Sequence, residues 1–125
     1  MIFVIYLVKV ARVESEQIAW AAGLIEGEGC FCIVRNSKAK GKQSSKILVQ
    51  MNDLDVLERL QSLFQVGKVY HRPPRGNSRE SWCWTVYRAD DILLVIEAVF
   101  PWLGIRRKQK ATEVKNWIYE QRGIH

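Results

Sequence analysis

The sequence predicts an α+β fold, with four antiparallel strands and helices packed on one face. Three observations lead there. Apolar residues recur at helical spacing over 14–27 and 54–64. Short alternating or β-branched stretches come in two pairs, each joined by a polar turn. The order along the chain is helix, hairpin, helix, hairpin, helix, helix, which suits a layer of helices on an antiparallel sheet.

The elements follow in order. Met1 to Ala11 is apolar apart from Lys9. The run is too short to span a bilayer and lacks the basic start and small-residue cleavage site of a signal peptide. It is expected to form a strand or a peripheral segment, an extension over 1–12 ahead of a core from about 14 to 122. The chain as a whole, 1–125, reads as one domain. The first helix runs from Glu14 to Gly27, with Ser15 as a cap, acids at Glu14 and Glu16, and glycines at Gly27 and Gly29 to end it.

Cys30 to Asn36 is a strand, Ser37 to Ser45 a basic loop, and Lys46 to Asn52 the returning strand. Leu54, Leu57, Leu60 and Phe64 mark one face of a second helix, with Asp53 as its N-cap. Gly67 to Arg72 and Glu80 to Tyr87 form the second hairpin around Pro73, Pro74, Gly76 and Asn77. Asp90 and Asp91 open a third helix that Pro101 and Gly104 break. A last helix covers about Arg106 to Arg122.

Hydrophobic residues make up 48% and charged residues 26%, a composition that excludes disorder as the general state. The net charge is +6, and its distribution says more. Eleven basic residues and four acids lie between Arg35 and Arg88, whereas Val13 to Val34 holds Glu14, Glu16, Glu26 and Glu28 without a base. A basic body around an acidic segment points to a polyanion partner and a bound cation. Cys30, Cys32 and Cys83 have no spacing that suits a disulfide framework or a four-ligand zinc site, so a reducing, intracellular setting is expected, with no secretion and no membrane partner. Cys30 and Cys32 share one strand face and are expected to be small core residues.

The chemistry concentrates in Ala21-Ala22-Gly23-Leu24-Ile25-Glu26-Gly27-Glu28-Gly29. Ala19, Gly23 and Gly27 recur every fourth residue and give one helix face no bulk, so that two backbones can approach closely. Glu28 then lies at the helix C-terminus, against the negative end of the macrodipole. Two such helices side by side would bring two Glu28 carboxylates together, and like charges that close need a proton or a cation. A hard divalent ion such as Mg2+ takes carboxylate and water oxygens.

This string resembles the LAGLIDADG motif of homing endonucleases and related maturases. Ala22, Gly23, Leu24, Ile25 and Gly29 match its letters, Glu26 and Glu28 stand where it has aspartates, Gly27 replaces a small residue, and Ala21 replaces a leucine. The likeness continues through Asp53–Leu60, Gly67–Tyr70, Pro101–Leu103 and Arg106–Ala111.

The resemblance implies a single-motif αββαββα fold with a four-stranded DNA-binding sheet. It further implies a homodimer through Ala19, Gly23 and Gly27, and Mg2+ or another divalent cation held by Glu28. As catalytic residues it implies Glu28, Arg106 (Arg107 next) where the family often has lysine, and a water-holding amide at Gln50 or Asn52. The implied function is a homing endonuclease of mobile-intron type that cuts a roughly palindromic duplex by Mg2+-dependent hydrolysis. A non-cleaving relative, either an RNA maturase or a DNA-binding regulator, is the alternative, with RNA as its possible partner.

A β-ribbon fits the major groove, with basic loop residues on phosphates and strand residues at base edges. The expected DNA-binding residues are Arg35, Lys38, Lys40, Lys42 and Lys46 on the first hairpin. On the second they are His71, Arg72, Arg75, Arg79 and Arg88, with Asn77. Trp82 and Trp84 share a face and are expected either in the core or as a platform under basic side chains.

Overall fold

The computed structural model describes the backbone of residues 2–35 and 43–123, and side chains within 14–34 and 43–123. Its elements are α1 (Ile2–Glu28), β1 (Gly29–Arg35), β2 (Gln43–Met51), α2 (Leu54–Phe64), β3 (Lys68–Arg72), β4 (Ser81–Val86), α3 (Ala89–Val99), a 3-10 turn (Phe100–Trp102) and α4 (Ile105–Gln121). The expected α+β order is present.

The first helix departs from expectation. It begins at Ile2 rather than Glu14, so residues 2–13 continue α1 and do not form a strand. No glycine or proline interrupts the sequence from Ile2 to Ala22, and helix therefore propagates through the β-branched run. Ser15 consequently lies mid-helix and caps nothing. Asp53 does occupy the N-cap position of α2, with extended backbone, but its side chain makes no capping hydrogen bond.

The four strands form one antiparallel sheet in the order β1-β2-β4-β3. Side chains alternate across it. Phe31, Ile47, Val49, Trp84 and Val86 turn toward the helices and are buried with Ala21, Ala22 and Ile25 of α1 and Leu57 and Leu60 of α2. Burying one large side chain of this kind stabilises the fold by roughly 1.5–3 kcal/mol.

Trp84 organises the helical side of the sheet. It is fully buried, stacks on Phe64 at 6.0 Å between ring centroids, and donates from Nε1 to the Val66 carbonyl at 3.0 Å. Trp82 also packs against the core, so neither tryptophan is a platform on the outer surface. Gly67, at φ +82°, lets the chain pass so close that an added Cβ would lie 2.7 Å from Trp84 Nε1. Gln61 Nε2 donates to the Gly67 carbonyl at 2.9 Å and fixes the bend.

Among the described residues, no helix covers the opposite face. Register defines its rows: Arg72 beside Ser81; Tyr70, Cys83 and Gln50; Lys68, Thr85, Leu48 and Cys30; then Lys46 beside Cys32. The small β4 residues are buried between longer neighbours on either side. The β1–β2 turn lies at the Arg35–Gln43 end of the sheet. The β3–β4 turn lies at the Arg72–Ser81 end, beyond Met51. The two turns therefore occupy opposite ends.

Candidate active site and nucleic-acid interface

The end of α1 is built from both ends of the chain's core. Glu26 accepts a hydrogen bond from the Gly104 backbone N–H at its Oε2 (3.2 Å), and its own carbonyl accepts one from Arg107 Nε at 3.1 Å. Gly104 is the N-cap of α4, so the Glu26 carboxylate satisfies one of that helix's unpaired N–H groups and sits at the positive end of its dipole. These contacts bring the start of α4 against the foot of α1.

Glu28 is the last residue of α1 and is exposed. Gly29 pairs with Val49, so antiparallel register sets Gln50, one residue further on, alongside the position of Glu28. Gln50 lies on the open face and donates from Nε2 to Ser81 Oγ at 3.1 Å, leaving its amide oxygen as an acceptor. Asn52, the other amide candidate, lies beyond the end of β2 and is exposed.

Arg106 is exposed in the first turn of α4, next to the Glu26–Gly104 contact. It lines a cleft of about 300 Å³ with Cys30, Gln109 and Lys110. Glu28, Gln50 and Arg106 thus come from three elements that converge near one end of α1. Arg107 is half-buried and tied to the Glu26 carbonyl, a positioning contact.

No cluster of three or more His, Cys, Asp or Glu able to hold an ion occurs among the described residues. Glu26 is already committed to α4, which leaves Glu28 as the carboxylate the foot of α1 offers. The small residues of α1 lie on a side that its own core does not cover at Gly23 and Gly27. Gly23 and Gly27 are exposed, a Cβ added at either would meet nothing within 4 Å, and Ala19 is half-buried. The same helix buries Ala21, Ala22 and Ile25 in its own core on another side.

The open sheet face carries part of the expected basic surface. Lys46 and Arg72 project from it, and Arg75 and Arg79 stand in the β3–β4 turn. Gln50, Arg72, Arg75, Arg79 and Ser81 line a cleft of about 520 Å³ at that end. His71 also lines that cleft, although it has the opposite strand parity from Arg72, packs its ring 5.4 Å from Trp82 and pairs with Glu80 at 3.1 Å. Arg88 lies outside the sheet, as the residue whose backbone caps α3. Lys38, Lys40 and Lys42 lie outside the described residues, as does the side chain of Arg35. Asn77 is exposed in the β3–β4 turn.

Lys68 and Tyr70 were not singled out from the sequence, yet both are exposed on the open face. Their shared parity with Arg72 was the available signal. Cys30 and Cys32 do share a face, as expected, but it is the open one rather than the core: Cys30 is exposed, and its Sγ lies 2.8 Å from that of Cys32. Burial first, and then the contact with Cys30, push the Cys32 thiol up to about 11, against the opposing pull of Lys46 and Lys110. Among the described residues no helix is long and apolar enough to cross a membrane.

A family model described as LAGLIDADG endonuclease matches residues 21–120. No curated protein sequence matches the chain. Several solved structures do. The homing endonuclease I-CvuI, in complex with its target in the presence of Ca, superimposes with a TM-score of 0.67 at 20% identity, covering 84% of this chain and 67% of that one. The group I intron-encoded homing endonuclease I-CeuI, complexed with DNA, gives 0.73 at 17% identity, over 97% of this chain and 66% of that one. The LAGLIDADG homing endonuclease I-GzeII, in complex with a DNA target, gives 0.69 at 19% identity, over 85% of this chain and only 36% of that one. At these identities the likeness is one of fold.

Proposed function

Because the chain belongs to the LAGLIDADG endonuclease family, we propose that two copies pair through α1 into a nuclease that cuts double-stranded DNA with the help of a divalent cation. What supports this reading is that strand register sets Gln50 alongside the Glu28 position and Glu26 holds the start of α4, two residues before Arg106, at the foot of a helix whose Gly23 and Gly27 have open space before them.

In this reading the stripes of two protomers meet and bring the two Glu28 carboxylates side by side. An oxygen-rich pair of this kind suits Mg2+, and either carboxylate alone is too small a donor set. When bound, the ion supplies Lewis acidity and a more acidic water. The protein's own groups do the rest. The Arg106 guanidinium offers a planar pair of donors to a phosphate oxygen as negative charge builds there. The Gln50 amide oxygen holds a water in line with the phosphate. Lys46, Lys68 and Arg72 hold the duplex along the open face and fix its register. The isologous pairing makes the preferred site roughly palindromic.

Selection of bound and cleaved sites from a randomised duplex library, with and without Mg2+, tests the reading. Cleavage of a near-palindromic site by two copies per duplex is the expected outcome. Tight binding of such a site without cutting under any divalent cation would instead identify a non-cleaving DNA-binding relative.

A further inference from the structure

The mechanism above leaves one chemically reactive cluster unused. Cys30 and Cys32 stand two residues apart on edge strand β1, both on the open face, with their sulfurs in contact at 2.8 Å. Cys30 is exposed and opens into the cleft that holds Arg106 and Lys110. Cys32 pairs across the strands with Lys46. Cys83 is buried on β4, with β2 between its strand and β1. Residues two apart on a strand are separated by about 6.4–6.8 Å at Cα. That is the upper edge of the span a disulfide accepts, about 4.4–6.8 Å. The pair can therefore be bridged by a modest pinching of β1, at the strand that begins one residue after Glu28.

We propose that Cys30 and Cys32 form an oxidisable dithiol whose conversion to an intrastrand disulfide weakens the DNA-facing surface. The co-reactant is a peroxide. The exposed Cys30 sulfur attacks one peroxide oxygen, the O–O bond breaks, and the departing oxygen leaves as water, giving a sulfenic acid. The Cys32 sulfur then attacks the Cys30 sulfur, the S–O bond breaks, and the oxygen leaves as a second water with the Cys32 proton. Two thiols and one hydrogen peroxide yield one disulfide and two waters. The product shortens β1 locally and shifts Gly29 to Cys32 against Val49 to Lys46, which moves Lys46 and the foot of α1 relative to the rest of the face.

The effect on DNA rests on the proposed function, whereas formation of the bridge does not. The full-length protein is treated with hydrogen peroxide, then alkylated under denaturing conditions, and thiols are counted by mass. Duplex affinity is measured in parallel at fixed salt. The expected result is a fall from three alkylated thiols to one in the wild type, a tenfold or greater loss of affinity, and recovery of both on adding dithiothreitol. Cys83→Ser should fall from two thiols to none and behave like the wild type. Cys30→Ser should fold, bind DNA and keep both of its thiols, whereas Cys32→Ser should fold and bind DNA but stop at the Cys30 sulfenic acid, with no internal bridge. Retention of three thiols, or an intermolecular bridge in place of the internal one, would overturn the dithiol itself. Clean formation of the bridge with unchanged affinity would overturn only its link to DNA. Failure of the reduced protein to bind any duplex would count against the proposed function and leave the thiol result standing.

Discussion

Glu26 and Gly104 are 78 residues apart in sequence, yet the carboxylate of the first caps the helix that begins after the second. Two neighbouring acids of one motif therefore have separate duties. Glu26 ties α1 to α4, and Glu28 is exposed, which leaves it available for the proposed metal role.

That division predicts opposite phenotypes. Glu26→Ala should lower stability by about 1 kcal/mol, the usual cost of losing an N-terminal cap. Glu26→Gln should retain part of the contact and fall in between. Gly104→Ala should act in the same direction, because its Cβ would lie 2.8 Å from Glu26 Oε1 and push the carboxylate off the helix end. Urea unfolding of the three variants checks the order. Equal stability of Glu26→Ala and wild type would show that the cap contributes nothing.

Glu28→Gln should leave folding and DNA affinity intact or slightly improved, since an anion at a helix C-terminus is removed. Cleavage should fall at least about a hundredfold, the scale seen when one group that stabilises transition-state charge is removed. Nicking and binding on one selected duplex, in Mg2+ and in Ca2+, separate the two effects. Full cleavage by this variant would remove Glu28 from the mechanism.

Gly23→Val should fold, because nothing within 4 Å of the new Cβ obstructs it in a single chain. In the proposed dimer the obstruction is the α1 helix of the second copy. Dimer affinity should fall about a hundredfold or more, or ~2.7 kcal/mol, and tight DNA binding should go with it. Sedimentation equilibrium across a concentration series gives the answer. A wild-type protein that stays monomeric throughout would end the shared-site argument.

Neutralising Arg72 and Arg79 together should reduce the slope of log affinity against log salt by about 0.9 for every phosphate they no longer neutralise. His71→Gln, on the other side of β3, should leave the slope unchanged. Titrations at four or more salt concentrations measure both. A flattened slope for His71→Gln would mean that its pairing with Glu80 opens on the duplex.

Gly67→Ala should destabilise the protein by more than ~1 kcal/mol, because positive φ and collision with Trp84 act together. Gly76 has φ +57° and no neighbour within 4 Å of an added Cβ, so Gly76→Ala isolates the backbone cost alone. Thermal melts of the pair give the collision by difference.

The fold was largely legible in the sequence because its periods are clean. Leu57, Leu60 and Phe64 mark α2, and the glycines after Ile25 mark the passage from helix to strand. The N-terminal run misled because Ile, Val and Phe suit strand and buried helix alike, and only the absence of breakers distinguishes them. At the site, the motif singled out Gly23, Gly27 and Glu28, all of which the structure leaves exposed. Contacts that join distant segments were not legible. Nothing local to Glu26 says that Gly104 lies against it, and nothing local to His71 says that Glu80 pairs with it. The exposed position of Cys30 was missed for the same reason: strand parity says that two residues share a face, but only the packed sheet says which face the helices cover.

The placement of the two hairpin turns at opposite ends of the sheet has an evolutionary consequence. A β2 strand of nine residues extends about 30 Å, close to the length of nine stacked base pairs. In the proposed complex the Arg35–Gln43 and Arg72–Ser81 ends of the sheet lie over different stretches of the duplex. Under that reading, preference at the two stretches can change in separate steps, each leaving the remaining contacts in use. Retargeting then becomes a walk through functional intermediates instead of a single jump.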